Sequence, residues 1–253
     1  MSRVAATLTL LACATPLRAG EPHLIALDSN RSLYELDIAT GFPTLLRTVT
    51  PNAGLVSALA VGPENTVFLS SNSNRELYTL EVLTGVATLV GPYGDPAIIM
   101  HGLEYVPTTD TLYGVSFHNG GFYSISQGTG AATLIGLTGL NGFGNLGWNP
   151  VAGLLFMTNL NASGVASLFT VNLATGVPTL VGPLNGPNFP SALAYYPDDG
   201  NLYLLDNVSD ALYTVNTATG TATLIGPTGP GNLLGLTYFN GPIPVELMSF
   251  TVE

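Results

Sequence analysis

The chain has no lysine. Its positive charge is five arginines, Arg3, Arg18, Arg31, Arg47 and Arg75, against 16 carboxylates, a net charge of −11 at pH 7 over 253 residues. Chemistry that needs an ε-amine, such as a Schiff base or a phosphate-loop lysine, is excluded. A surface of this sign repels phosphate backbones, so no nucleic-acid partner is expected. Cysteine is nearly absent too: Cys13 stands alone, so no disulfide can form within the chain. No apolar run is long enough for a membrane span. Charged residues of both signs make up only 8%, mean hydropathy is +0.40, and there are 30 glycines and 18 prolines. This is an apolar, turn-rich chain outside the disordered class, with a surface built mainly from Asn, Thr, Ser and Gly.

The first residues read as an export signal. Arg3 supplies a short basic start, Val4 to Thr15 is apolar and small, and Pro16-Leu17-Arg18-Ala19 offers cleavage after Ala19. Residues 1–19 are therefore expected to be a signal peptide, leaving three arginines against 16 carboxylates, a net −13. A second reading stays open: Leu10-Leu11-Ala12-Cys13 resembles a bacterial lipobox, which would lipidate Cys13 and anchor an outer-membrane lipoprotein. Both readings place the protein outside the cytoplasm, secreted, extracellular or periplasmic.

What the chain does have is repetition. An apolar-aromatic pair is followed seven residues on by Thr-Gly, then by Thr-Leu, five times: from Leu33-Tyr34, Leu77-Tyr78, Phe122-Tyr123, Leu168-Phe169 and Leu212-Tyr213. The Thr-Gly glycines are Gly41, Gly85, Gly130, Gly176 and Gly220. A period in the forties with strand-like content predicts an all-β propeller built blade by blade. Each repeat divides into four short strands, A to D, with Gly200 and Gly220 at tight turns that need positive φ. One leucine recurs in strand A (Leu59, Leu103, Leu146, Leu193, Leu236), with Val61, Tyr105, Trp148, Tyr195 and Tyr238 two residues later. Strand B carries Ile25, Phe68, Tyr113, Phe156 and Tyr203. These large side chains are read as packing between blades. The first segment starts at a strand B and the last strand A has no B after it. The expectation is therefore five four-stranded blades over residues 20–241, one closed by three N-terminal strands plus one C-terminal strand, with residues 242–253 as a tail strand.

Candidate site residues come from matched positions and from departures. At the end of strand B stand Asp28, Ser71, Ser116, Asn159 and Asp206, one polar side chain per blade. They can form a ring of acceptors for a sugar hydroxyl or a cation, or they can cap the turn that follows. One blade departs from the rest: His101 replaces the Ser57, Gly144, Ser191 and Leu234 of its siblings, and Glu104 replaces Ala60, Gly147, Ala194 and Thr237. Asp95 and His118 lie in nearby loops. Their spacing matches no metal-ligand motif, so no metal, cofactor or catalytic residue is assigned.

The phrase from Leu212 to Gly220 resembles the repeat of quinoprotein-type propellers, which leads on to a tryptophan. Here Thr223-Leu224-Ile225-Gly226 stands in its place and Trp148 lies in a strand A, so a redox cofactor is not implied. The repeat is more similar to that of exported bacterial β-propeller proteins of unknown function, over roughly residues 23–240. Pro244 to Phe250 is similar to a segment that follows the main domain in many secreted bacterial proteins. That resemblance implies fold and export and no activity. The expected function is a secreted non-enzymatic module that binds glycan or protein, or a surface structural unit. The alternative is a glycoside-hydrolase-like enzyme with Asp28, Glu104 and Asp206 as carboxylates at the channel mouth.

Overall fold

The computed structural model describes residues 22–140, 142, 144–229 and 231–244. The expected leader, Cys13 and the tail beyond Pro244 lie outside these residues. Twenty strands form five antiparallel four-stranded sheets. The first contains β1 (His23–Asp28), β2 (Ser32–Leu36) and β3 (Pro43–Thr48), with β20 (Leu233–Phe239) as its innermost strand. The second is β4 (Val56–Val61), β5 (Val67–Ser71), β6 (Glu76–Glu81) and β7 (Val86–Pro92). The third is β8 (Met100–Val106), β9 (Thr111–Ser116), β10 (Gly121–Ile125) and β11 (Ala132–Leu137). The fourth is β12 (Asn145–Asn149), β13 (Leu154–Leu160), β14 (Ala166–Val171) and β15 (Pro178–Pro183). The fifth is β16 (Pro190–Tyr196), β17 (Asn201–Asp206), β18 (Ala211–Val215) and β19 (Ala222–Pro227). The inner strands β20, β4, β8, β12 and β16 pack side by side around a central channel. Pairing of β20 with β1, His23 opposite Phe239, closes the circle. The fold is the expected five-bladed propeller.

The repeat's parts now have separate jobs. The first residue of each apolar-aromatic pair, Leu33, Leu77, Phe122, Leu168 or Leu212, is fully buried. The aromatic residue beside it holds the loop between strands B and C through its hydroxyl in four blades. Tyr78 accepts from Asn74 Nδ2 at 2.9 Å and Tyr123 from Asn119 Nδ2 at 2.7 Å, while Tyr213 donates to Ser209 Oγ at 3.0 Å. Tyr34 donates to Asp28 at 3.5 Å. Phe169 lacks the hydroxyl. The Thr-Gly glycines all have positive φ, from 71° at Gly176 to 80° at Gly220. Asp37, Asn172 and Asn216 cap the same turn, each accepting two backbone N–H groups. The Asp37 carboxyl is held below the ordinary carboxylate range by those amides. The Thr-Leu leucines Leu45, Leu89, Leu134, Leu180 and Leu224 point outward from the edge strands, about half exposed.

The glycines also weld neighbouring blades. A Cβ on Gly226 would run into the carbonyl oxygen of Thr40, one on Gly182 into that of Thr219, and one on Gly136 into that of Thr175. A Cβ on Gly91 would meet the carbonyl of Thr129. The outer strand of one blade thus lies backbone to backbone on the next blade's Thr-Gly turn. Arg47 occupies the matching place in the first blade, opposite Leu33 as Gly91 is opposite Leu77. Its Nε donates to the carbonyl of Leu83, in the next blade's turn, at 2.8 Å. The backbone approach is kept there, with Thr50 N donating to the Gly85 carbonyl at 2.9 Å, and the arginine adds a side-chain hydrogen bond to it.

Candidate functional site

The channel is blocked at mid-height. Leu59, Leu103, Leu146, Leu193 and Leu236, one per inner strand, are each no more than 3% exposed. The space among them is about 10 Å³, room for a single water at most. Two separate cups result. The upper cup opens where the inner strands begin, and the lower cup where they turn back into strand B.

At the upper face the five matched side chains are all buried, and each is engaged by a local loop. Asp28 accepts from the backbone amides of Asn30 at 2.8 Å and Ser32 at 2.7 Å. Ser71 accepts from Asn74 N at 3.2 Å, and Ser116 from Ile99 N at 3.1 Å. Asn159 accepts from Leu160 N at 2.7 Å and reaches the carbonyl of Gly142 at 3.4 Å. Asp206 accepts from Phe189 N at 2.5 Å and from Ser209 N at 2.9 Å. These bonds satisfy loop amides that would otherwise be orphaned in a buried place.

His101 sits at a β-bulge. The register of β8 against β9 shifts between Met100 and Gly102, and matching bulges fall at Ser57, Ser191 and Leu234. A bulge re-aims the side chain it carries. The His101 ring is 8% exposed, accepts from Asn72 Nδ2 at 3.3 Å and stands edge-on to Phe117 with centroids 5.6 Å apart. Burial lowers its pKa to about 4, so the imidazole is neutral, as accepting a hydrogen bond requires. His118 and Asp95 are exposed in loops. Among the described residues no group of three or more His, Cys, Asp or Glu is placed to hold a metal ion.

Beside His101 and Phe117, the upper cup encloses about 420 Å³, lined by Phe117, Gly142, Asn159, Leu160, Asn188, Phe189 and Pro190. No charged side chain lines it among the described residues. Of the sequence candidates only Asn159 reaches this cup directly.

Glu104 belongs to the other cup. It lies opposite Tyr113 and past the leucine layer from His101, about 13 Å along the strand from Met100. The lower cup holds about 450 Å³ among Tyr105, Trp148, Tyr195 and Tyr238, with Glu104 and Thr237 in its wall and Pro63, Pro107, Pro150 and Pro197 at its rim. The carboxyl accepts from the backbone amides of Trp148 and Tyr105, yet burial outweighs them and pushes its pKa up to about 8. Asp28 and Asp206, at the ends of β1 and β17 and paired with Leu233 and Pro190 at the start of the inner strands, therefore do not share a mouth with Glu104. The three-carboxylate arrangement of the hydrolase reading does not form. The aromatics two residues past each leucine do pack between blades, as expected. Their second role, lining the lower cup, is not visible from their spacing alone.

No protein-family model and no curated protein matches the chain. Solved structures do, at low identity. A chain of the nidogen/laminin complex aligns with TM-score 0.61 and 13% identity, covering 87% of this chain and 98% of that one. A catalytically inactive virginiamycin B lyase from Staphylococcus aureus, with quinupristin, aligns with TM-score 0.52 and 13% identity over 85% of this chain and 73% of its own. TolB from Acinetobacter baumannii aligns with TM-score 0.52 and 12% identity over 83% of this chain and 53% of its own. At such identities the likeness is one of fold: the chain is a β-propeller. A protein complex and an enzyme share that fold, so the fold alone decides between neither. No helix among the described residues is long and apolar enough to cross a membrane.

Proposed function

We propose that the protein is an exported, non-enzymatic binding module that takes a neutral glycan unit in the upper cup. The observation that carries this is the lining: two phenylalanines and two asparagines around about 420 Å³, with no charged side chain among the described residues. Rings offer faces for the C–H side of a sugar, the exposed Asn188 amide offers a paired donor and acceptor for its hydroxyls, and the volume suits one or two sugar rings. A chain with net charge −11 and no lysine is poorly made for an anionic ligand. Export rests on the N-terminal pattern, by cleavage after Ala19 or by lipidation at Cys13. A hydrolytic role would need a second carboxylate within about 5–10 Å of the first, and among the described residues Glu104 is the one carboxylate in the lining of its cup.

The test is a glycan array probed with residues 20–253, then titration of the best hit. Phe117→Ala and Asn188→Ala are expected to weaken that hit at least tenfold while leaving the unfolding transition in place. A blank array, or hits indifferent to both substitutions, defeats the glycan reading and favours a protein-binding or structural role.

A further inference from the structure

We propose that the lower cup binds a free organic cation of the quaternary-ammonium class, enclosed by Tyr105, Trp148, Tyr195 and Tyr238 and neutralised by the Glu104 carboxylate. This site is separate from the upper cup, since the leucine layer leaves only about 10 Å³ between them.

Three observations lead to it. The first is the wall. Four of the five inner strands carry an aromatic residue at the cup in their next-to-last position, and Tyr105 and Tyr238 keep part of their surface open. Aromatic enclosures attract cations through the negative faces of their rings, best when the cation carries little hydration to lose. The second is the carboxyl. Glu104 receives two backbone N–H groups, an arrangement that suits a carboxylate, yet no ion pair reaches it among the described residues. The described arginines are spent elsewhere, on the carbonyls of Gly54, Leu83 and Pro96. A half-buried acid held by donors and lacking a counter-charge is completed by a cation. The third is the count. With one carboxylate in the lining, a hard metal ion would lack the six or so oxygen ligands it takes, whereas a quaternary ammonium needs none.

Binding is linked to a proton. Glu104 is neutral in the empty cup below about pH 8, so a cation must drive off its proton. The other ionisable groups around the cup are the phenols of Tyr105, Tyr195 and Tyr238, Tyr113 opposite Glu104 on β9, and Glu64, Asp110, Asp198 and Asp199 in the rim turns. The phenols of Tyr105 and Tyr238 are raised above their ordinary range, the first by its hydrogen bond to Asp110 and the second by burial, so they stay protonated. Between about pH 6 and pH 8 the ionised fraction of Glu104 rises roughly 50-fold, and affinity should rise with it.

The experiment is calorimetric titration of residues 20–253 with choline and with its uncharged dimethylbutanol isostere. Choline is expected to bind saturably, at least tenfold tighter than the isostere, with affinity increasing from about pH 6 to pH 8 and proton release seen as buffer-dependent heat. Glu104→Gln, which keeps the shape of the wall, should cost at least tenfold and abolish the pH dependence. Tyr105→Ala, at the open edge of the cup, should weaken binding without unfolding the chain. Equal binding of choline and isostere, no binding of choline, or an unaffected Gln variant each overturns the proposal. Co-sedimentation with phosphatidylcholine vesicles would replace the free solute by a lipid headgroup and overturn that part. Glycan binding in the upper cup should survive Glu104→Gln, so the two cups fail or succeed independently.

Discussion

Replacing Glu104 by Gln should make the protein more stable at alkaline pH while barely changing it in mild acid. The carboxyl has a pKa of about 8 in the folded chain against an ordinary value of 4.5. Between those values the folded state holds a proton that the unfolded state has released. Unfolding is then favoured by rising pH, with a slope approaching 1.4 kcal/mol per unit for one proton. From about pH 5 to pH 8 this removes roughly 3–4 kcal/mol, and the partly exposed edge of the side chain reduces that to about 2–3 kcal/mol. Glutamine has the same shape, accepts the amides of Trp148 and Tyr105 and cannot ionise. The assay is urea unfolding of wild type and Glu104→Gln at several pH values, taking the difference at each so that every other titrating group cancels. The difference should be under 1 kcal/mol near pH 5 and grow to about 2–3 kcal/mol near pH 8. Parallel curves across that range would mean that Glu104 is ionised in the folded chain, and would refute the burial argument.

Other expectations follow from single contacts. His101 is neutral in the fold down to about pH 4, so its contribution is present above the unfolded value of 6.5 and lost as pH falls; His101→Gln should flatten acid destabilisation by about 2–3 kcal/mol between about pH 6.5 and pH 4. Gly182→Ala drives a methyl onto the carbonyl of Thr219 and should cost about 1–3 kcal/mol in urea unfolding, whereas Gly128→Ala, with open space around it, should cost under about 1 kcal/mol. Tyr123→Phe removes the bond from Asn119 and should cost about 1 kcal/mol, while Phe169→Tyr should not cost a similar amount in a blade that already does without the hydroxyl. Intact mass of the exported protein separates the two N-terminal readings: cleavage after Ala19 leaves an unmodified chain, and lipidation leaves a diacylated or triacylated chain beginning at Cys13.

The architecture was legible because a propeller writes its geometry once per blade. A turn that needs positive φ writes a glycine at Gly41, Gly85, Gly130, Gly176 and Gly220, and a fully buried strand position writes Leu or Phe each time. Repetition, however, does not say what a repeated residue is for. Leu45 and its four counterparts recur as faithfully as the core and yet face solvent at 50–59% exposure. The contact of Gly91, Gly136, Gly182 and Gly226 with the next blade's turn needs the assembled ring to be seen. The candidate site was legible only in part. Matched positions such as Asp28 and Asp206 were found because they repeat, and their partners prove to be loop amides. The cups were hidden because strand spacing cannot tell that five leucines meet and divide the channel.

Function in such a molecule is better sought where the repeat is broken than where it is kept. Five equal positions around an axis can only make a symmetric surface, and most ligands are not symmetric. Here the two departures, His101 and Glu104, fall on one strand, β8, three residues apart. One is re-aimed by a bulge beside the upper cup, and the other stands in the wall of the lower cup with Leu103 between them. Reverting each to its siblings' residue therefore separates the faces: His101→Ser should act on the upper cup alone and Glu104→Ala on the lower alone. Titrating both variants with a glycan hit and with choline gives four measurements. Cross-effects above about threefold would show that the leucine layer transmits strain between the cups and that they are one site with two mouths.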